Sequence, residues 1–543
     1  MSGTKVFVAR KIVTMDPNRP DASHVAVRDG RILAVGDAEE VSAWGDFPLD
    51  GRFADKVLLP GFVEGHAHVL AGAMWHYLYL GYHDRVDPAG VTHPGLTEIT
   101  QVIERLRQAE ASLTDLHTPL IAWGFDPIFL PSERLNRHHL DSVSAGRPIA
   151  VVHSNFHLLT ANTAALSLAH YGPGTEVVGV ALEEGGHPHG ELREFAAMFP
   201  VMRRLGIDFG ALARSEGGIR AYGKVARRCG VTTVTDLIAD LEDGDVRQLL
   251  EITGETSYPV RLVPALNGHA APVLETAERA LALKHLSTEK LRLGAVKLLT
   301  DGSIQGFTAQ LNWPGYFKGP DHGIWNMAPE QFYDTVDNLN GEDIQLHIHV
   351  NGDKAIDVAL DALERTLGHH RRPDHRHMLQ HCQMAGPAQF RRMKALGVGV
   401  NLFANHLYYF GDQHRDITLG PDRAQRIDGC ASALAHGVPL AIHSDAPVTP
   451  MGPLFTAWCA VNRETASGHI LGENERISVA QALHAVTLGA AHSLKMDGEV
   501  GSIEVGKHAD FAVLEEDPTI CPPQDLKDIP VYGTVLGGEE TAP

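Results

Sequence analysis

Seven short apolar runs, spaced through the chain from residue 231 to residue 444 and separated mostly by helix-like stretches, restrict its fold more than any other feature. They are Val231 to Leu237, Val260 to Leu266, Leu293 to Leu299, Ile344 to Val350, Arg376 to His381, Val398 to Phe403 and Pro439 to Ser444. An eighth, Val57 to His66, lies far upstream, with Pro60 and Gly61 as punctuation inside it. Stretches such as Pro329 to Asn340, Ala355 to Leu367 and Gln389 to Leu396 carry helical patterning between the runs. Eight strands alternating with helices imply an α/β fold with a parallel sheet, a (β/α)8 TIM barrel. The interval of residues 75–225, after the first strand, is too long for a loop and is expected to be an insertion with structure of its own.

Both termini read differently. Val6 to Val8, Val25 to Val27 and Ile32 to Val35 are short strands broken by turn signals such as Asp29-Gly30. Gly501 to Lys507 and Phe511 to Leu514 have the same texture. The expected organisation is a composite β-domain from residues 1–56 and 497–543, a barrel from 57–74 and 226–496, and the insertion 75–225.

Barrel enzymes place their chemistry at the C-terminal ends of strands. The first run ends in His66 and His68, which at i and i+2 share one face of a strand. With 32 histidines in the chain, one such pair can arise by chance. The later strand ends repeat the theme. Lys297 lies in the fourth, His347 and His349 in the fifth, His381 ends the sixth, and Asp445 follows the eighth within His443-Ser444-Asp445-Ala446-Pro447. Each is a polar group in an apolar strand, costly to bury without a partner. Together they suit a metal ion. Burial lowers a lysine pKa, and a neutral Lys297 amine can add carbon dioxide to become a carbamate, an oxygen ligand able to bridge two ions. Lys297 can equally pair with Asp301 or face solvent.

Composition removes other classes. The 543 residues are 44% hydrophobic and carry 46 basic against 67 acidic residues, a net charge of −21. That balance argues against nucleic acid or an anionic membrane as partner. No stretch approaches the about 20 apolar residues of a membrane span. Five scattered cysteines without a Cys-X-X-Cys pair fit a reducing compartment. With no secretory apolar core in the first twenty residues, the expected location is cytoplasmic.

The ordered motifs resemble the amidohydrolase superfamily, in its large-insertion, formamide-deformylase-like branch. They are Val25 to Gly36, Leu59 to His68, Gly124 to Asp126, His157 to Asn162, Val296 to Ser303, His349 to Asp353, Gln380 to Gln383, Ser444 to Val448 and Gly501 to Asp510. The resemblance implies a distorted barrel with a small β-sandwich from both termini and a metal centre. His66, His68 and Asp445 would hold a first ion, and His349 and His381 a second. Lys297, as a carbamate, would bridge them. One or two zinc ions are expected, other divalent metals being possible. Such a centre activates water against an acyl carbon, with Asp445 as the base. The expected reaction is hydrolysis of a carbon–nitrogen bond other than a peptide bond, in an amide or N-acyl amine. A deaminase with a single metal on the same scaffold, held by His66, His68, His349 and Asp445, is the alternative. Trp75, Phe125, His157 and Ser303 are the candidates for contact with a small-molecule substrate. A homo-oligomer is expected from the prevalence of symmetric assemblies.

Overall fold

The computed structural model describes residues 3–115, 117–130, 133–320 and 322–541. Two compact units divide the chain, Met1–His68 with Gly223–Pro543, and Val69–Tyr222.

The larger unit is built on eight parallel strands. They are β1 (Phe62–Glu64), β2 (Val231–Ala239), β3 (Arg261–Asn267), β4 (Ala295–Leu299), β5 (Leu346–Val350), β6 (Met378–His381), β7 (Gly399–Leu402) and β8 (Leu440–Ile442). They pair in chain order in one curled sheet, β1 at one edge and β8 at the other. Their residues are almost continuously buried, the pattern of parallel strands covered on both faces. Helices cross between several of them, among them Pro329–Gly341, Asp353–His369 and Pro387–Leu396.

All eight expected strands are present, but the first apolar run is divided. Val57 to Pro60 ends a long strand, Leu49–Pro60, that pairs antiparallel with Phe511–Leu514. Only Phe62–Glu64 enters the parallel sheet, beside Val231 to Val234. Gly61 is the hinge, since a side chain there would collide with Thr232. One apolar run thus serves two sheets.

The terminal strands form a single seven-stranded sheet. Lys5–Val13, Asp21–Arg28, Arg31–Gly36 and Leu49–Pro60 join Phe511–Leu514, Val531–Leu536 and Glu539–Thr541. Asp29 and Gly30 turn the hairpin between the second and third, both at positive φ as a tight two-residue turn requires. Phe7, Phe53 and Phe511 meet ring to ring in its core. Gly501 to Lys507 is not a strand. Gly501 and Gly506 hold positive φ, and the segment turns while Ile503 N donates to the Thr14 carbonyl. A buried ion pair ties this sheet to the parallel one, with Arg261 of β3 donating to both Asp510 oxygens at 2.7 and 3.1 Å.

The smaller unit has its own six-stranded sheet, in the order Val180–Leu182, Pro188–Arg193, Leu158–Ala161, Ile149–His153, Leu120–Phe125, Leu78–Tyr79. It buries separate apolar clusters around Trp123 with Met198, and around Phe125 with Leu106. No helix among the described residues is long and apolar enough to cross a membrane.

Candidate metal centre

The edges of the curled sheet meet just beyond its strands. Asp445 N donates to the His66 carbonyl at 3.1 Å, and His68 N to the Ala446 carbonyl at 2.8 Å. Glu64, the last residue of β1, accepts from Ser444 N at 3.1 Å and Ser444 Oγ at 2.8 Å. This short ladder brings residues nearly 380 positions apart into one place. Asp445 (φ +51°) and His381 (φ +64°) both take the left-handed backbone conformation. Non-glycine residues pay for it with strain that gathers at functional sites.

Asp445 Oδ1 lies 3.4 Å from both His66 Nε2 and His68 Nε2. Its Oδ2 lies 3.7 Å from His381 Nδ1. Among the described residues two sets of ligand atoms cluster closely enough to share an ion, His66–His68–Asp445 and His66–His381–His443. Lys297 is buried beside them, and its Nζ has no hydrogen-bond partner.

The electrostatics follow from burial. Burial holds His66 well below the ordinary histidine range, and the neighbouring Lys297, His381 and His443 push it further. His381 is depressed in the same way. Burial also takes Lys297 down to about 7, so the amine is readily neutral. Asp301 does not pair with it. That carboxylate accepts from the backbone N–H groups of Gln310, Asn351 and Gly352 at 2.9–3.0 Å. Burial opposes ionisation of Asp445, yet its hydrogen bond to His68 and the charges of His68, His443 and Lys297 prevail and hold it below the ordinary carboxylate value. For His68, burial is outweighed by Asp236 and Asp445, which raise it to about 9. Metal binding there displaces a proton.

Gln380 in β6 organises the centre from behind. Its Oε1 accepts from His66 Nδ1 at 2.8 Å and from Asn401 Nδ2 at 3.0 Å. Its Nε2 donates to His347 Nδ1 at 2.8 Å. The hydrogen of His66 is thereby on Nδ1, and its Nε2 lone pair faces Asp445. His347 belongs to this supporting network.

These residues fit a divalent cation. Neutral imidazoles with unmet ring nitrogens, a carboxylate kept ionised and a buried amine are poorly satisfied by one another. A zinc-like ion accepts nitrogen and oxygen donors together.

The other expected residues stand as follows. The His349 ring packs 4.6 Å from that of His381. Its Nε2, however, lies 3.3 Å from the Gly302 carbonyl and 3.2 Å from Asn351 Nδ2, and it is in neither ligand set. Ser303 is buried in a turn, where its Oγ accepts from Gly306 N. In the smaller unit, Trp75 packs on Tyr79, His93 and Trp123. Phe125 is a core residue against His153, and His157 Nδ1 lies 3.0 Å from Glu194 Oε2. Sequence reasoning missed Gln380 and His443. His443 stands two residues before Asp445, repeating the i, i+2 spacing of His66 and His68, and that signal was available.

The model of the amidohydrolase family matches residues 54–542. The chain is 28% identical to Protein LONG AFTER FAR-RED 3 of Arabidopsis thaliana, over 98% of this chain and 90% of that protein. It is 26% identical to N-substituted formamide deformylase of Arthrobacter pascens, over 98% and 97%. An uncharacterized metal-dependent hydrolase from Pyrococcus horikoshii OT3 shares the fold, with a TM-score of 0.72 at 20% identity, covering 96% of this chain and 99% of that one. With the family model spanning nearly its whole length, the chain belongs to the amidohydrolase family.

Proposed function

We propose that the protein is a metal-dependent hydrolase of a carbon–nitrogen bond other than a peptide bond, in an amide or N-acyl amine. The observation that carries this reading is the convergence of His66, His68 and Asp445 ligand atoms where the sheet's two edges join. On this reading the curled sheet is a distorted (β/α)8 barrel, and the terminal strands accompany it as one seven-stranded sheet where a small β-sandwich was expected. His66, His68 and Asp445 would hold zinc, with His381 beside them. When bound, such an ion supplies Lewis-acid polarisation of a carbonyl and lowers the pKa of water.

The chain's own residues do the rest. Asp445 takes a proton from the attacking water and returns it to the departing nitrogen. Gln380 fixes the ring of His66, and Asp236 lies 3.7 Å from His68 Nδ1. Lys297 Nζ, depressed by burial and without a partner, attacks carbon dioxide. A nitrogen–carbon bond forms, a proton leaves to solvent, and the carbamate adds oxygen donors to the centre.

One observation favours a second reading, a deaminase with a single metal. The two ligand sets share His66, whose Nδ1 is committed to Gln380, and one lone pair serves one ion. The readings separate on product and stoichiometry: a carboxylic acid with up to two ions, or ammonia with one. The test of Asp445 is Asp445→Asn. Turnover should fall about 10²–10⁴-fold while His66 and His68 retain metal. Near-normal hydrolysis by that variant rules out Asp445 as the base.

A further inference from the structure

The proposed chemistry leaves a buried pair of histidines unused. His406 lies on the helix Asn405–Gln413, which follows the C-terminal end of β7, and His414 opens the π-helix His414–Thr418 directly after it. Single π-turns attached to α-helices occur frequently at functional sites. His406, His414 and Thr418 are all buried. His406 Nδ1 and His414 Nε2 lie 2.8 Å apart, and His414 Nδ1 lies 2.8 Å from Thr418 Oγ1. The planes of the two rings differ by 14° and their centroids are 5.0 Å apart. That is the edge-to-edge arrangement a straight N–H···N bond needs.

One buried hydroxyl decides where the hydrogens of this chain sit. Thr418 Oγ1 makes no hydrogen bond besides that to His414 among the described residues. If it only accepted, its own hydrogen would be buried without a partner, a cost that folded proteins avoid. Thr418 Oγ1 therefore donates to His414 Nδ1. His414 then carries its hydrogen on Nε2 and donates it to His406 Nδ1, which leaves the hydrogen of His406 on Nε2. Each ring holds a single hydrogen. Burial takes His414 down to about 3, and burial, with His414 and His443 nearby, holds His406 well below the ordinary histidine range.

The last donor in the chain is left over. His406 Nε2 has no acceptor among the described residues. Unlike both nitrogens of His443, it is not sealed inside the protein. The His406 ring is clamped by Phe403 at 4.4 Å and Phe410 at 4.5 Å. The Phe403 ring also meets His443 at 4.8 Å and His381 at 5.7 Å. A donor fixed in both position and tautomer thus stands one ring away from the candidate metal centre, on the face where barrels place their chemistry.

We propose that His406 is a substrate-contacting residue that donates Nε2–H to an acceptor oxygen of the substrate, with His414 and Thr418 as positioning residues that fix its tautomer. The inference rests on the amide-hydrolysis reading above and adds a contact to it. No proton is transferred, since the chain acts as a preorganised dipole whose reorganisation is not needed when substrate binds.

The test uses the full-length, zinc-loaded protein and a panel of N-formyl, N-acetyl and aryl amides. His406→Phe keeps the packing against Phe403 and Phe410, and should lower kcat/KM at least about tenfold with zinc per chain unchanged. Thr418→Val, which removes the ordering hydroxyl, should lower it about fivefold or more, and Thr418→Ser should stay within twofold of wild type. In nitrogen-15 spectra of ring-labelled protein, the His406 signal, identified by its loss on substitution, should show a protonated Nε2 and a bare Nδ1. A kcat/KM in His406→Phe within twofold of wild type, with zinc retained, overturns the proposal and leaves the metal-dependent reading intact. Equal activity in Thr418→Val and Thr418→Ser, or the opposite tautomer, overturns the positioning roles. A wild type that hydrolyses no amide of the panel overturns the amide reading and this inference with it. Should His406→Phe fail to fold, Thr418→Val against Thr418→Ser decides.

Discussion

Replacing Gln380 by leucine removes no proposed metal ligand, yet it should weaken the centre. The side chain is fully buried and makes three hydrogen bonds, with His66 Nδ1 at 2.8 Å, His347 Nδ1 at 2.8 Å and Asn401 Nδ2 at 3.0 Å. Leucine approximates its volume and leaves those groups unmet. A buried group stripped of its partner costs about 1–3 kcal/mol, so stability should fall by several kcal/mol unless the rings turn. Turning is the functional cost, because a His66 ring free to exchange tautomers no longer commits Nε2 to the ion. Loss of such an orienting partner weakens metal binding about 10–100-fold, or about 1.4–2.7 kcal/mol. Gln380→Glu is the control. A carboxylate still accepts from His66 Nδ1 but cannot donate to His347, so the metal should be held while His347 changes tautomer. Competition of zinc against a chromogenic chelator reads both variants. Zinc affinity in Gln380→Leu within twofold of wild type would refute the claim that this amide orients His66.

Further outcomes follow from other buried groups. Wild-type protein equilibrated with carbon-13 bicarbonate should show a carbamate resonance that Lys297→Met lacks, and its absence from wild type removes the carbamate from the account. Asp510→Ala removes the buried carboxylate that holds the Arg261 guanidinium, leaving it the Glu289 carbonyl at 2.6 Å and the Glu289 carboxylate at 3.8 Å, so denaturant stability should fall by about 3 kcal/mol and recover in Arg261→Met/Asp510→Leu. A loss under about 1 kcal/mol, a typical exposed-pair value, would mean the pair does not hold the two sheets together. In the smaller unit, burial pushes His153 down to about 4, against about 6.5 in an unfolded chain. The unfolded chain takes the proton first, so this contribution is full above the unfolded value and lost as pH falls from there toward 4. The slope is at most about 1.4 kcal/mol per pH unit. Hydrogen exchange of residues 69–222 should show this slope reduced by one proton in His153→Asn, and an unchanged slope contradicts the assignment.

Strand ends were legible because parallel strands buried on both faces admit polar residues only where something needs them. His66, Lys297, His381 and Asp445 each interrupt an apolar run, and all four come together. The division of Val57 to Glu64 between two sheets was marked by Pro60 and Gly61, but which half pairs with Phe511–Leu514 is a long-range choice that local pattern does not encode. Gly501 to Lys507 resembled a strand because alternation survives in a turn whose glycines carry positive φ. Trp75 and Phe125 show the limit of reading aromatics, since a ring in a packed cluster and a ring facing a substrate look alike in sequence. Gln380 stood in a motif, but its role was hidden for a related reason. A glutamine within a strand announces no chemistry until two histidines from other strands are found hydrogen-bonded to it. His443 was hidden by its neighbour, because Asp445 supplied a sufficient reason for a polar strand end.

The most direct test of metal-dependent carbon–nitrogen hydrolysis is a single comparison on one preparation. The purified protein is assayed against N-formyl, N-acetyl and aryl amides as isolated, after chelation, and after zinc is restored, with metal per chain measured at each step. The account expects at least one bound ion per chain, release of the carboxylic acid from a member of the panel, loss of that activity on chelation and recovery with zinc. Acid release that survives complete removal of metal would contradict it.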